Sequence, residues 1–316
     1  MFASQDNISD LQLIDLFLTS ISLDKSQNTY FAYKNDLELL HKFLLLQKQS
    51  FTSCTQVEIS EYFAEYFIRD KYGFVKIIEA VSVRRKISVF RAFFGFLYEE
   101  KYISNKPIDN VEIPKKAQKL PFYLTEEEVA SIFAYTSGQN TKDGIRMNAI
   151  LHILYSCGLR VSEAITMKIS DVFDGQNIRK KTIILGKGNK ERTVFLDKNA
   201  QKAIEKYIAI RDYFKPNSGN KFLFCANNSG GYLTRQSVFV SLQKIAYKVG
   251  TSEKTSPHKL RHSFATHMYQ SGIDLRMLQV LLGHSDISTT EIYTHIKADD
   301  IKTTLEKFHP IFNKKA

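Results

Sequence analysis

Cysteine is scarce in this chain. Cys54, Cys157 and Cys225 stand far apart in 316 residues. They are too few and too scattered for a disulfide framework or a cysteine-based zinc site, so a reducing compartment is expected. Long hydrophobic runs are missing too. The longest, Phe43-Leu44-Leu45-Leu46, falls far short of a bilayer's thickness. The opening Met1-Phe2-Ala3-Ser4-Gln5-Asp6 lacks the basic and apolar stretches of a secretory signal. A soluble cytoplasmic protein with no membrane partner is therefore expected. Acid is in deficit: 33 Asp and Glu face 44 Lys and Arg, a formal charge of +11. Such an excess favours a polyanionic partner, through steering and counterion release.

The length accommodates two domains, each with its own core. Up to about residue 103 the apolar spacing is helical. Helices are predicted over 8–21, from a Ser26 cap through Tyr30, Tyr33, Leu37, Leu40 and Phe43, over 56–69 and over 81–100. The last carries Val83, Ile87, Phe90, Phe94 and Leu97 as a core stripe, with Arg84, Arg85, Lys86 and Arg91 off it. In a basic chain those four cations read as a phosphate-contacting face. Pro107, Pro114 and Pro121 bracket a basic stretch, Lys115-Lys116-Ala117-Gln118-Lys119. A linker is expected over 105–120, between domains 1–104 and 121–316.

The second domain opens at Thr125 before Glu126-Glu127-Glu128, a helix-start pattern. A helix over 144–156 should stop at Gly158. Two β-type runs, 182–185 and 193–196, flank Gly186-Lys187-Gly188-Asn189-Lys190 and predict a hairpin. Further helices are predicted over 199–213, 234–249, 257–271, 274–282, 288–295 and 298–308. The fold class is mainly α: an N-terminal helical bundle, then a mixed, mostly helical domain with a small β-hairpin.

The chemistry concentrates in the second domain. A phosphodiester resists attack because both oxygens involved face a negatively charged centre, and the five-coordinate transition state carries more charge still. Guanidinium suits it, being always charged and able to donate two parallel hydrogen bonds. Arg160 and Arg261 are the candidates. His258 lies three residues before Arg261 on one predicted helix, placed to move a proton or bond a phosphate oxygen. Tyr293 carries a weakly acidic phenol that becomes a nucleophile beside cations. His284 follows Gly283 nearby, and Lys187 sits at the hairpin tip as a mobile proton donor. Each residue alone has a plainer explanation, as surface ion pair, helix cap or packing, so the set carries the reading. Glu163 is expected to brace Arg160 one turn away. Asp171, Asp174 and Asp286 show no metal-holding cluster with it, and His262, His267 and His295 are read as structural.

The segments Gly158-Leu159-Arg160-Val161-Ser162-Glu163, Gly186-Lys187-Gly188-Asn189-Lys190-Glu191-Arg192, His258-Lys259-Leu260-Arg261-His262 and Leu281-Leu282-Gly283-His284-Ser285, ending in Ile292-Tyr293-Thr294-His295, resemble in order those of the tyrosine recombinases, bacterial Xer group. The N-terminal helices also look like that family's SAM-like core-binding domain. The resemblance implies that Tyr293 forms a 3′-phosphotyrosyl link and frees a 5′-hydroxyl. Arg160 and Arg261 would clamp the phosphate, His258 and His284 would assist, and Lys187 would protonate the leaving oxygen, with no cofactor. It further implies a C-shaped clamp on double-stranded DNA and a tetramer on two-half-site DNA. That tetramer would be homomeric or shared with a second Xer-type recombinase, its C-terminal segment (298–316) docked in trans, and sometimes activated by a DNA translocase. The implied task is resolving chromosome or plasmid dimers at a dif-like site, with the D-type slightly favoured over the C-type. A type IB topoisomerase and a silent DNA-binding protein are the alternatives; the complete residue set and the short N-terminal bundle disfavour them.

Overall fold

The structure is a computed structural model, and it describes residues 8–22, 25, 27–68, 80–111, 123–186, 191–214, 219–251, 255–283, 303–305 and 307–309. The chain divides into two compact units, Met1–Lys119 and Leu120–Ala316.

The first unit holds α1 (Asp10–Ile21), α2 (Gln27–Leu46), α3 (Gln56–Ile68) and α4 (Ala80–Glu99). Ser9 starts α1 through a capping box with Gln12. Leu13, Ile14, Phe17 and Leu18 then face inward at helical spacing. On α4, Val83, Ile87, Phe90, Phe93, Phe94 and Leu97 are all buried, a wider stripe than the i, i+3/i+4 pattern alone demands. Phe51, from the turn after α2, plugs the centre with its ring edge-on to Phe93 at 4.8 Å. Its backbone N–H donates to the Asp10 carboxylate, which ties that turn to the start of α1.

The second unit is organised round α6 (Lys142–Ser156), buried on nearly every side from Ala149 onward. Packed about it are α5 (Glu126–Ser137), α7 (Val161–Ile165), α9 (Lys198–Ile208), α10 (Arg235–Lys248) and α11 (Pro257–Gln270), while α8 (Ile169–Val172) lies beside the hairpin and α12 (Leu275–Leu282) against α11. Thr125 caps α5 with a capping box to Glu128. The hairpin pairs β1 (Lys181–Leu185) antiparallel with β2 (Glu191–Phe195), Arg192 opposite Ile184. Its tip, with Lys187, lies outside the described residues.

Two expectations need adjusting. The helix predicted over 199–213 breaks, because α9 ends at Ile208 and a 3-10 turn covers Arg211–Phe214. Arg211 is the reason: buried there, it donates to the carbonyls of Asn220, Phe222 and Leu223, a geometry a continuous helix would not offer. The short α7 and α8 were not foreseen. In the last segment, 303–305 and 307–308 are helical, and Leu305 and His309 are buried within their own unit. His309 packs between Tyr155 and Phe264. The helix predicted over 288–295 lies outside the described residues.

Candidate active site

A backbone device sets up the site. α6 ends at Cys157, and Gly158 turns the chain with φ +59°. A side chain there would need a strained left-handed backbone, and its Cβ would stand 2.6 Å from the Phe264 ring. The turn aims the Gly158 carbonyl at Arg261 and delivers Arg160 to the start of α7. Cys157, beside it, is inert. Its thiol donates to the Phe195 carbonyl at 3.3 Å, and burial pushes its pKa far up.

Glu163 is the hub. Its Oε2 accepts the Arg160 backbone N–H at 2.8 Å and its Oε1 the Arg160 Nη1 at 2.9 Å. Arg192 of β2 grips the same carboxylate with both Nη atoms, at 3.1 and 2.7 Å. Arg261 Nη1 stands 4.0 Å from Glu163 Oε2. Arg261 also donates to the Gly158 carbonyl through Nη1 and to the Leu282 carbonyl through Nη2 at 2.6 Å. Arg160 and Arg261, 101 positions apart in sequence, thus meet round one carboxylate. Burial works against the Glu163 charge, but hydrogen bonds from Arg192 and Arg160 outweigh it and hold its pKa below the usual range. Burial, with Arg160 and Arg192 close by, lowers the Arg261 pKa to about 10, so it stays charged at neutral pH.

Exposure separates the two candidate arginines. The Arg160 side chain is 33 % exposed and that of Arg261 is 8 % exposed. Arg160 presents a cation outward, and Arg261 backs it from the interior. α11 leaves His258 exposed at its first turn and buries Arg261 one turn on. His262 is half-buried, its pKa lowered by burial and by the neighbouring His258 and Lys259. His267 is structural as read: buried, its Nδ1 pairs with the Tyr155 hydroxyl at 2.7 Å. His284 and Tyr293 lie outside the described residues, as does Lys187. Among the described residues no three His, Cys, Asp or Glu side chains stand together as a metal-holding group.

Sequence reasoning gave Arg192 no role, yet a signal was there. Side chains alternate along a strand, and Val194 faces the core. Arg192, two residues earlier, must face inward with it.

The basic cluster on α4 divides. Arg85 pairs with Asp36 while keeping its side chain 46 % exposed, and Arg91 donates to the Val111 carbonyl at 3.2 Å. Arg84 is half-buried. Lys86 corrects the expectation: its side chain is 1 % exposed and its ammonium bonds buried Asp36 at 2.8 Å. The reason is the width of the α4 stripe, which puts position 86 inside. Burial lowers the Lys86 pKa, partly offset by Asp36. It is a core ion pair rather than a DNA contact.

The phage integrase family matches residues 123–299, and the family's N-terminal SAM-like domain matches 14–101. The chain is 38 % identical to the tyrosine recombinase XerD of Rickettsia prowazekii (strain Madrid E), over 95 % of this chain and 96 % of that protein. It is 36 % identical to XerD of Proteus mirabilis, over 94 % and 93 %. The chain is a tyrosine recombinase of the phage integrase family. Its relatives bearing the XerD name agree with the D-type lean of the motifs. Among solved structures the recombinase is similar to the XerH site-specific recombinase bound to difH substrate before cleavage. The TM-score is 0.62 at 23 % identity, covering 94 % of this chain and 84 % of that one. It is also similar to the Tn1549 transposon integrase in complex with circular intermediate DNA, with TM-score 0.63, 19 % identity and coverage of 93 % and 99 %. At these identities the likeness establishes the shared fold: a SAM-like helical domain and a mostly helical catalytic domain with a small sheet.

Proposed function

We propose that this recombinase cleaves and rejoins duplex DNA at a specific site of two half-sites through a 3′-phosphotyrosyl intermediate. The Tyr293 oxygen bonds to phosphorus as the P–O5′ bond breaks, and the departing 5′-oxygen takes a proton from Lys187. A 5′-hydroxyl from the partner duplex then attacks the phosphotyrosine, so the diester's energy is conserved and no nucleotide is spent. Arg160 and Arg261 hold the nonbridging oxygens as charge builds. His258 and His284 orient the phosphate and move the Tyr293 proton.

The guanidinium cluster carries this reading. Three arginines round one carboxylate leave two net positive charges at a partly buried point, matched to a phosphodiester gaining a second negative charge. The XerD relatives and the DNA complexes of XerH and the Tn1549 integrase support DNA as the substrate. By the same analogy the site is dif-like, the task is dimer resolution, and the working unit is a tetramer, alone or with a second Xer-type recombinase. A DNA translocase is a candidate activator. By the same analogy the C-terminal segment, 298–316, docks on a neighbouring subunit. On α4, Arg84, Arg85 and Arg91 are the proposed phosphate contacts, and the linker's boundaries fall at about 105 and 120.

The test is a supercoiled plasmid carrying two direct copies of the organism's dif-like sequence, incubated in EDTA with and without the partner recombinase. Two product circles, dependent on both sites and lost in Tyr293→Phe, are expected. Relaxation on site-free plasmid would instead indicate a type IB topoisomerase. Specific binding without any strand breakage, even with the partner present, would indicate a binding protein.

A further inference from the structure

We infer that Arg192 is a positioning residue for cleavage: it takes up the charge of Glu163, so that Arg160 and Arg261 keep theirs for the scissile phosphate. The inference rests on the clamp assigned above to those two arginines.

The geometry is specific. Among the described residues Arg192 is the one arginine that grips Glu163 with two parallel Nη bonds, and its side chain is 9 % exposed. Both of its Nη atoms are committed to Glu163, so it acts on the phosphate through that carboxylate. Arg160 shares Glu163 Oε1 with Arg192, and Arg261 stands 4.0 Å from Oε2. Without Arg192 the carboxylate would have only the clamp arginines to neutralise. It would turn fully onto them, and one of the two net positive charges would be lost. The same guanidinium also touches the chain just before His284: a Cβ on Gly283 would meet Arg192 Nη1 at 2.9 Å and Cδ at 3.0 Å. Arg192 therefore links β2, the start of α7 and the end of α12, the elements that bear or adjoin the proposed catalytic residues.

A packing role alone accounts poorly for this. Arg192 Nε is buried with no hydrogen-bond partner among the described residues. Burying a guanidinium incompletely satisfied costs free energy, and a hydrophobic pair of similar volume is commonly as stable or more so. A hydrophobic pair at these positions would leave Arg160 without the Glu163 anchor, whereas Arg192 lets Glu163 hold Arg160 without cancelling the positive charge of the cluster.

A charge-rescue experiment tests this. Single-turnover formation of the covalent adduct is measured on a nicked duplex at saturating protein, for wild type, Arg192→Met, Arg192→Lys and the double variant Arg192→Met/Glu163→Gln, with melting temperature and site affinity recorded. Arg192→Met is expected to slow adduct formation at least tenfold while site affinity stays within about twofold, since no DNA contact is removed. The double variant restores the net charge of two and is expected to recover at least severalfold over Arg192→Met. Arg192→Lys keeps the charge and is expected within about threefold of wild type; it also serves if Arg192→Met does not fold. The inference is overturned if Arg192→Met matches wild type, if the folded double variant is no faster than Arg192→Met, or if Arg192→Lys is itself slowed tenfold. A wild type that forms no Tyr293 adduct would defeat the clamp reading; a normal wild type with an unaffected Arg192→Met defeats only this inference.

Discussion

At the scale of single residues, chemical type was easier to read than burial. Arg160 and Glu163 were legible because a three-residue spacing at a helix start nearly dictates their contact. Lys86 was misread, since a lysine beside three other cations looks like surface. The wide α4 stripe puts position 86 inside, where its ammonium meets Asp36, a buried carboxylate 50 residues away. Arg192 was passed over for the converse reason: a charged residue in a hairpin reads as solvated until strand alternation is applied to it. The two α4 cations now separate by experiment. Lys86→Met should destabilise the N-terminal unit by about 1–2 kcal/mol, since Asp36 keeps its Arg85 partner, with DNA affinity per folded molecule unchanged. Arg84→Ala should leave denaturant stability nearly unchanged and reduce the slope of log affinity against log salt by about one. A salt slope lowered by Lys86→Met would return that residue to the interface.

Helices with an apolar stripe or a clear cap were legible: 8–21 is close to the observed Asp10–Ile21, and Thr125 is the observed cap of α5. Elements of four or five residues were not: α7 and α8 are too short to display a period. Yet α7 carries Glu163 and begins at Arg160, so the least legible element holds part of the site. Its position depends on the Gly158 turn. Gly158→Ala would force a left-handed alanine and drive its Cβ into Phe264, at a cost of roughly 2 kcal/mol or more. Because the Gly158 carbonyl accepts from Arg261, adduct formation should fall as well, even below the melting temperature. A variant that melts early but cleaves normally at low temperature would show that the turn does not set the arginines.

For the whole molecule, each unit has its own core, built from the apolar stripes of its helices, and the two clusters of buried side chains are separate. Long-range partners were not legible in the sequence, and the catalytic unit's buried imidazoles illustrate it. His152 lies against Phe133, and burial lowers its pKa to about 4. His309 is enclosed by Tyr155 and Phe264, and burial lowers its pKa to about 3. In the unfolded chain both titrate near 6.5. Below that pH the unfolded state binds more protons than the folded one, so stability is fully present above about pH 6.5 and falls as the pH drops toward 4. By pH 5 the loss from His152 alone is on the order of 2 kcal/mol. Melting temperature followed from pH 7.5 to 4.5 should show the decline, and His152→Phe should flatten part of it. A wild-type melting temperature unchanged across that range would contradict the burial of these rings as neutral groups.

In the proposed reaction one phenol, that of Tyr293, takes the DNA strand by its 3′ phosphate. The most direct measurement is mass spectrometry of the nuclease-trimmed adduct from a nicked substrate, with end-labelling of the released strand. A 3′-nucleotide joined to the peptide that contains Tyr293 is expected, with a released strand ending in a 5′-hydroxyl. An adduct on any other residue, or a released 5′-phosphate with a free 3′-hydroxyl, would contradict the proposed reaction.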